Sequence, residues 1–283
     1  MPLLLRLLQI PVLTDNTAWL LVEGARAVVV DPPEPAPVLE AIAREGARLT
    51  HILTTHHHAD HTGANLALVH ATGAVVVGNA HDRARIPALA HAVVPGDRVT
   101  ILDRAFRVLD VHAHTRAHIA FALDAPVDVV VRHGHAGAPR VVDELAHRPA
   151  LFVGDALFLM GCGRLFEGTP DDLTEVMRTL AREDPRALVC CTHEYTRANC
   201  AFAQTILDDE AVRARGATIE ATFTRDASTL PGTLGEERAS NPYLRALDDT
   251  ARPLLARALG LDDGAPVVDV IGALRRAKDT FQG

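Results

Sequence analysis

The chain opens on apolar runs broken by short polar turns. Leu3 to Leu13, Ala18 to Val22 and Ala27 to Val30 are separated by Thr14-Asp15-Asn16 and Glu23-Gly24, which predicts three successive antiparallel strands. Asp31-Pro32-Pro33 ends the third, and Pro37 to Glu45 reads as a helix closed by Gly46. Leu49 to Leu53 is the next strand, followed by a polar loop, a helix from Leu66 to Ala71 ending at Gly73, and the strand Ala74 to Gly78. Val93 to Phe106 and Arg107 to Val111 continue the β pattern, with turns at Pro95-Gly96-Asp97 and Asp103-Arg104. Leu151 to Asp155 and Ala187 to Cys191 are further strands, and Thr169-Pro170-Asp171-Asp172 between them is a helix start with Thr169 as N-cap.

Beyond about residue 197 the β signal fades. Ala198 to Arg213, Pro242 to Leu259 and Val267 to Lys278 read as helices. This predicts an α+β fold, a two-sheet sandwich flanked by helices over 1–197 and a mainly helical region over 198–283.

The polar loop after Leu53 is Thr54-Thr55-His56-His57-His58-Ala59-Asp60-His61. Side chains alternate in an extended loop, so His56 and His58 face one way, while Asp60 and His61 swing toward a neighbouring point as the helix starts. Imidazole nitrogen and carboxylate oxygen suit borderline divalent ions, which hydrolytic sites use singly or in pairs. Four ligands here therefore face two adjacent metal ions. His112 to His118, Gly154-Asp155 and Thr192-His193-Glu194-Tyr195 bring further donors, each just past the end of a strand.

Fifteen histidines in 283 residues favour metal chemistry, and 48% apolar with 23% charged residues is ordinary for a globular enzyme. The formal charge of −8 comes without a Lys/Arg block, which argues against nucleic acid as a partner. Of the 28 cationic residues 27 are Arg, so Lys278 stands alone. Cys162, Cys190, Cys191 and Cys200 show no C-x-x-C spacing and read as reduced thiols of a cytoplasmic protein. The N-terminal apolar run is too short for a signal peptide, and nothing approaches the about 20 apolar residues of a membrane span.

The H-x-H-x-D-H pattern, His114, Gly154-Asp155 and His193, in that order, resemble the metallo-β-lactamase superfamily. Leu13-Thr14-Asp15-Asn16, Gly161-Cys162-Gly163-Arg164-Leu165-Phe166-Glu167-Gly168-Thr169, Cys191 to Thr196, Asn241-Pro242-Tyr243 and Arg275 to Asp279 resemble the glyoxalase II (hydroxyacylglutathione hydrolase) family. The resemblance implies an αββα sandwich with a C-terminal helical substrate-binding domain. It implies that His56, His58 and His114 hold one metal and that Asp60, His61 and His193 hold the other, with Asp155 bridging. Two cations that share a carboxylate and a water lower the water's pKa, so a bridging hydroxide attacks the thioester carbonyl. Asp60 and Asp155 are then the catalytic carboxylates, Asp60 also orienting the hydroxide. Zinc is the expected pair of ions, with iron and manganese suited to the same ligands.

The implied reaction is hydrolysis of S-D-lactoylglutathione to D-lactate and glutathione, the second step of methylglyoxal detoxification, by a monomer or small homo-oligomer. Arg164, Tyr195, Arg275 and Lys278 are the implied substrate-binding residues. Arg275 and Lys278 are neighbours on one helix face, and the solitary lysine suggests a need for a compact ammonium. Phe166 stands where the family often has tyrosine, and His112 and Arg116 depart from its second cluster. Residues 124–150 form an insert in which His133-Gly134-His135 reads as part of a solvated hairpin. His118 is expected to partner a ligand's ring N–H, Cys162 to be a small packed residue and Trp19 to lie in the core. Two other readings keep the fold: a mononuclear iron persulfide dioxygenase, and a non-catalytic metal-binding module.

Overall fold

A computed structural model describes residues 5–131, 145–225 and 227–282. The three opening runs form the expected antiparallel meander, β1 (Leu5–Val12), β2 (Asn16–Glu23) and β3 (Arg26–Val30). Every residue of β2 is buried because both faces of this sheet are covered. Trp19 and Leu21 enter the core between the sheets, while Ala18, Leu20 and Val22 enter a second core beneath the helices. Those helices are α1 (Pro35–Arg44) and α3 (Asn65–Thr72), which follows the single turn α2 (Ala59–Thr62). The sheet continues in parallel through β4 (Arg48–Leu53), β5 (Val75–Asn79) and β6 (Leu89–Val93).

The second sheet holds β7 (Arg98–Ile101), β8 (Arg104–Asp110), β9 (Ile119–Val131), β10 (Arg148–Gly154), β11 (Leu188–Cys191) and β12 (Gly232–Thr233). β9 pairs with β8 and β10, and its far end runs parallel to β1, so one strand joins the sheets. The β7–β8 turn falls on Leu102-Asp103, one residue earlier than Asp103-Arg104, with both residues in the left-handed region at φ 52° and 56°. The insert departs along β9 and returns antiparallel in β10. His133 and His135 lie outside the described residues.

Helix α4 (Pro170–Ala181) starts at Thr169 with a full capping box to Asp172 and lays Leu173, Val176, Met177 and Leu180 on the second sheet. The order helix, sheet, sheet, helix is the αββα sandwich anticipated from the resemblance. The remaining helices, α5 (Thr196–Ile206), α6 (Glu210–Thr224), α7 (Leu234–Ser240), α8 (Pro242–Arg245), α9 (Arg252–Ala258) and α10 (Val267–Thr280), pack on the same side and share that core. Two expected helices are each split. Ala198 to Arg213 breaks at Leu207–Asp209, where Asp209 accepts from the Val212 N–H at 2.9 Å and starts a new helix. Pro242 to Leu259 breaks where Asp248 accepts from Thr250 N and Oγ1. Among the described residues no helix is long and apolar enough to cross a membrane.

Candidate metal centre

Four strand ends meet at one point: β4 delivers the histidine loop, β8 the His114 loop, β10 Asp155 and β11 His193. Asp31, just past β3, fixes the entry to the histidine loop. Its carboxylate accepts from Thr55 N at 2.8 Å and Thr55 Oγ1 at 2.7 Å. Gly154 is left-handed at φ 51°, and a Cβ there would lie 2.3 Å from Thr55 Oγ1. Only glycine lets β10 end against that loop, and this places Asp155 at the centre.

All seven expected ligands converge there. His58 Nδ1 lies 3.1 Å from His56 Nε2 and 3.0 Å from His114 Nε2, a triangle of ring nitrogens. Beside it, Asp60 Oδ2 is 3.3 Å from His193 Nε2 and 3.7 Å from His61 Nε2. Asp155 stands between the two groups. Its Oδ2 is 3.6 Å from His114 Nε2 and 3.5 Å from His193 Nε2, and its Oδ1 is 3.4 Å from His61 Nε2.

The outer hydrogen bonds decide which ring nitrogens are lone pairs. His114 Nδ1 donates to the Arg164 carbonyl at 2.9 Å, His61 Nδ1 to Asp31 at 3.1 Å and His193 Nδ1 to Asp15 at 2.8 Å. In the neutral rings each Nε2 then points a lone pair at the centre. His61 Nε2 and Asp155 Oδ1 are buried and, among the described residues, have no hydrogen-bond partner. Buried lone pairs and carboxylate oxygens facing one another are costly unless a cation lies among them, so the donor set fits divalent metal.

The electrostatics divide the centre in two. Burial, reinforced by neighbouring histidines, holds His56 and His58 below the usual range, and burial also lowers His114, so the all-histidine group is kept neutral and ready to coordinate. In the other group burial opposes charge on His61 and His193, but nearby carboxylates outweigh it. Asp155 and Asp31 raise His61, and Asp155, Asp60 and Asp15 push His193 up to about 10. Asp60 is held low, first by its contact with His193. A metal ion held at this group would compete with protons, since these side chains coordinate only when deprotonated.

A cleft of about 640 Å³ runs from the centre to α10. Arg164, Tyr195, Arg275 and Lys278 all line it. The Tyr195 ring stacks on His193 with centroids 4.7 Å apart, and burial with the nearby acids pushes its hydroxyl up to about 12. Lys278 donates to the Ala198 carbonyl at 3.1 Å and lies over the rings of Phe202 and Phe281. Arg275 is buried in the wall, where Nη1 bonds the Cys162 carbonyl at 2.9 Å and Nη2 meets Asp279 at 2.9 Å.

The family model described as Metallo-beta-lactamase superfamily matches residues 12–193, and that described as Hydroxyacylglutathione hydrolase C-terminus matches 194–281. A hydroxyacylglutathione hydrolase of Methylococcus capsulatus is 42% identical over 284 residues, covering 99% of this chain and all of that protein. The chain belongs to the hydroxyacylglutathione hydrolase family. Another member, from Rhodobacter capsulatus, is 43% identical and covers 98% of this chain and 99% of its own. The crystal structure of ETHE1 from Myxococcus xanthus matches with a TM-score of 0.58 at 22% identity, over 93% of this chain and 94% of that one, a likeness of fold.

Within this family member, the residues that orient the ligands went unread in the sequence. In the sequence Asp15 stands in a turn and in the family-like run Leu13 to Asn16, and Asp31 at a strand end, with no histidine partner read for either. Their partners His193 and His61 lie 178 and 30 positions away, so no local spacing marks them. His118 does not take the expected role: among the described residues neither ring nitrogen has a hydrogen-bond partner, and the ring packs 4.5 Å from His56. Asp31, Asp15 and the Arg164 carbonyl do that work instead. His112 turns to the surface, between Asp110 at 2.6 Å and Asp172 at 3.3 Å. Cys162 and Trp19 are buried, as read from the sequence, and all four cysteines are free and buried.

Proposed function

We propose that this chain hydrolyses S-(2-hydroxyacyl)glutathione thioesters, S-D-lactoylglutathione among them, to the 2-hydroxy acid and glutathione. The observation that carries this is one cleft joining the histidine and carboxylate centre to a cationic wall at Arg164 and Lys278. His56, His58 and His114 would hold one cation and Asp60, His61 and His193 a second, Asp155 shared, with zinc the first choice and iron or manganese compatible. Such a pair, when bound, supplies Lewis acidity and a water of lowered pKa for attack on the thioester carbonyl.

The protein's own residues do the rest. Asp60 is steadied by Asn16 Nδ2 at 3.2 Å and lies at the edge of the centre open to the cleft, where it is set to orient the attacking water. Phe158 and Phe166 give the reacting end apolar walls that limit competing water. Residues 198–283 act as the substrate-binding unit. Lys278 spends one of its three donors on Ala198 and has others for a tripeptide carboxylate, and Arg164, with 67% of its side chain exposed, adds a second cation. The leaving thiolate has a conjugate acid near about 8.5 and needs no strong general acid. The four buried thiols suit a cytoplasmic setting.

The test is release of free thiol from S-D-lactoylglutathione, followed with a thiol reagent while metal content and oxygen uptake are recorded. Stoichiometric thiol and lactate with no oxygen uptake are expected. Oxygen uptake by a protein with a single iron and no thiol release would transfer the site to persulfide oxidation, and inertness with metal bound would leave a binding module.

A further inference from the structure

The ion-pair network on the far side of the histidine loop plays no part in the chemistry above, yet it ties together the histidine loop, the His114 loop and the segment 163–168. Its hub is Arg85, from the turn after β5. Arg85 Nε donates to Asp82 Oδ1 at 2.9 Å, Nη2 meets the same oxygen, and Nη1 donates to Glu167 Oε1 at 2.6 Å. Arg85 Nη1 also lies 3.2 Å from His57 Nε2, while His57 Nδ1 lies 3.2 Å from Asp82 Oδ2. His57 is thus held between Arg85 and Asp82, which pins the loop between His56 and His58. Glu167 Oε2 in turn accepts from Arg116 N at 2.9 Å, two residues past His114.

Glu167 belongs to the segment 163–168, and that segment touches the centre directly. The Arg164 carbonyl accepts from His114 Nδ1, and Phe166 N donates to the His114 carbonyl at 3.3 Å. The Phe166 ring stands edge-on to His58 and His114, with centroids 5.6 and 5.2 Å away. The fit has no slack, since a Cβ on Gly163 would lie 2.1 Å from the Asp155 carbonyl oxygen and one on Gly168 2.4 Å from that of Ala113. Asp82 is 1% exposed, so the network is built into the fold rather than laid on its surface.

We infer that Arg85 and Glu167 form a latch that holds the 163–168 segment against the three histidines His56, His58 and His114, fixing the orientation of His114 and the placing of Arg164. Both are positioning residues. Arg85 reaches His114 and Arg164 only through Glu167, and the planar guanidinium fork serves Asp82, His57 and Glu167 from separate nitrogens, a fixed spread that the single nitrogen of an ammonium does not reproduce. The latch rests on the reading that those histidines hold a cation.

Glu167→Gln leaves the Arg85–Asp82 pair intact and is the gentler variant; Arg85→Lys and Arg85→Met complete the series. Each is loaded with zinc and titrated with a chromophoric chelator to resolve the two affinities. KM and kcat for the thioester are then measured at saturating zinc. The latch predicts that one zinc weakens ten- to a hundredfold while the other is unchanged. It also predicts that KM rises severalfold with kcat largely retained, that Arg85→Lys falls between wild type and Arg85→Met, and that Arg85→Met with Glu167→Gln together is little worse than the worse single change. Equal weakening of both zincs, additive effects, or folded variants with wild-type zinc affinities and KM would overturn it. A wild-type chain that takes up no zinc would remove the underlying reading, whereas a zinc-loaded, active wild type with unaffected variants would remove the latch alone.

Discussion

Asp31 is where a change of one atom should disable a ligand that it does not itself supply. Oδ1 accepts from Thr55 N, while Oδ2 accepts from both Thr55 Oγ1 and His61 Nδ1. In Asp31→Asn the carbonyl oxygen must stay with the backbone donor, so an NH₂ replaces Oδ2. The Thr55 hydroxyl can rotate and accept from it, but the His61 Nδ1–H cannot. The ring then relieves the clash by moving its proton to Nε2, the atom that faces Asp60 and Asp155. Coordination requires that proton to leave again. Loss of such an outer partner weakens metal binding by about 10- to 100-fold, or ~1.4–2.7 kcal/mol.

The backbone at Asp31 is left-handed, φ 50°, and asparagine tolerates that conformation, so the fold should survive. Chelator competition read against circular dichroism separates the two effects. A well-folded Asp31→Asn protein in which one of two metals is weakened by that factor is expected. Native affinity at both positions would refute the tautomer reasoning.

Three further outcomes follow from the same geometry. Gly154→Ala forces a side chain into a left-handed position against Thr55, at a cost of about 2–5 kcal/mol, and displaces Asp155; thermal unfolding should show the loss and thioester turnover should fall at least tenfold. Glu237 is fully buried, and burial, only partly offset by Arg215, raises its carboxyl from 4.5 to about 7. Below about pH 4.5 it is neutral in both states and costs nothing. Between 4.5 and 7 the unfolded chain ionises first and stability falls, and above 7 the full ~3 kcal/mol is lost. Glu237→Gln does not titrate, so its stability relative to wild type should improve from pH 4.5 to 8, and a flat difference would contradict this. Stripping the cations with a chelator should lower the melting temperature by an amount on the order of 10 °C, because ligand at 1,000-fold its Kd contributes about 4 kcal/mol to a chain of this size.

The histidine loop was legible in the sequence because its donors crowd into six positions after an apolar run, and strand ends elsewhere announced Asp155 and His193. The sandwich was legible because β1 to β3 and β10 carry long apolar runs. What escaped depends on distant partners. Arg85 reads as one arginine among 27 until Glu167, 82 positions on, folds against it. The helix expected to stop near Arg213 continues as α6 past Gly216, a residue that ordinarily weakens a helix. Here Gly216 lets α6 approach α5, since a Cβ would lie 2.3 Å from Gln204 Nε2. Helix α7 lacks a long apolar stripe, and its capping box at Thr233 and Glu236 was the signal that could have found it.

The most direct test of the account is the anomalous scattering of the zinc-loaded protein in crystals. Two peaks per chain about 3.5–4 Å apart are predicted, one within reach of His56, His58 and His114, the other of Asp60, His61 and His193, with Asp155 touching both. A single peak at full occupancy, or peaks away from Asp155, would contradict it.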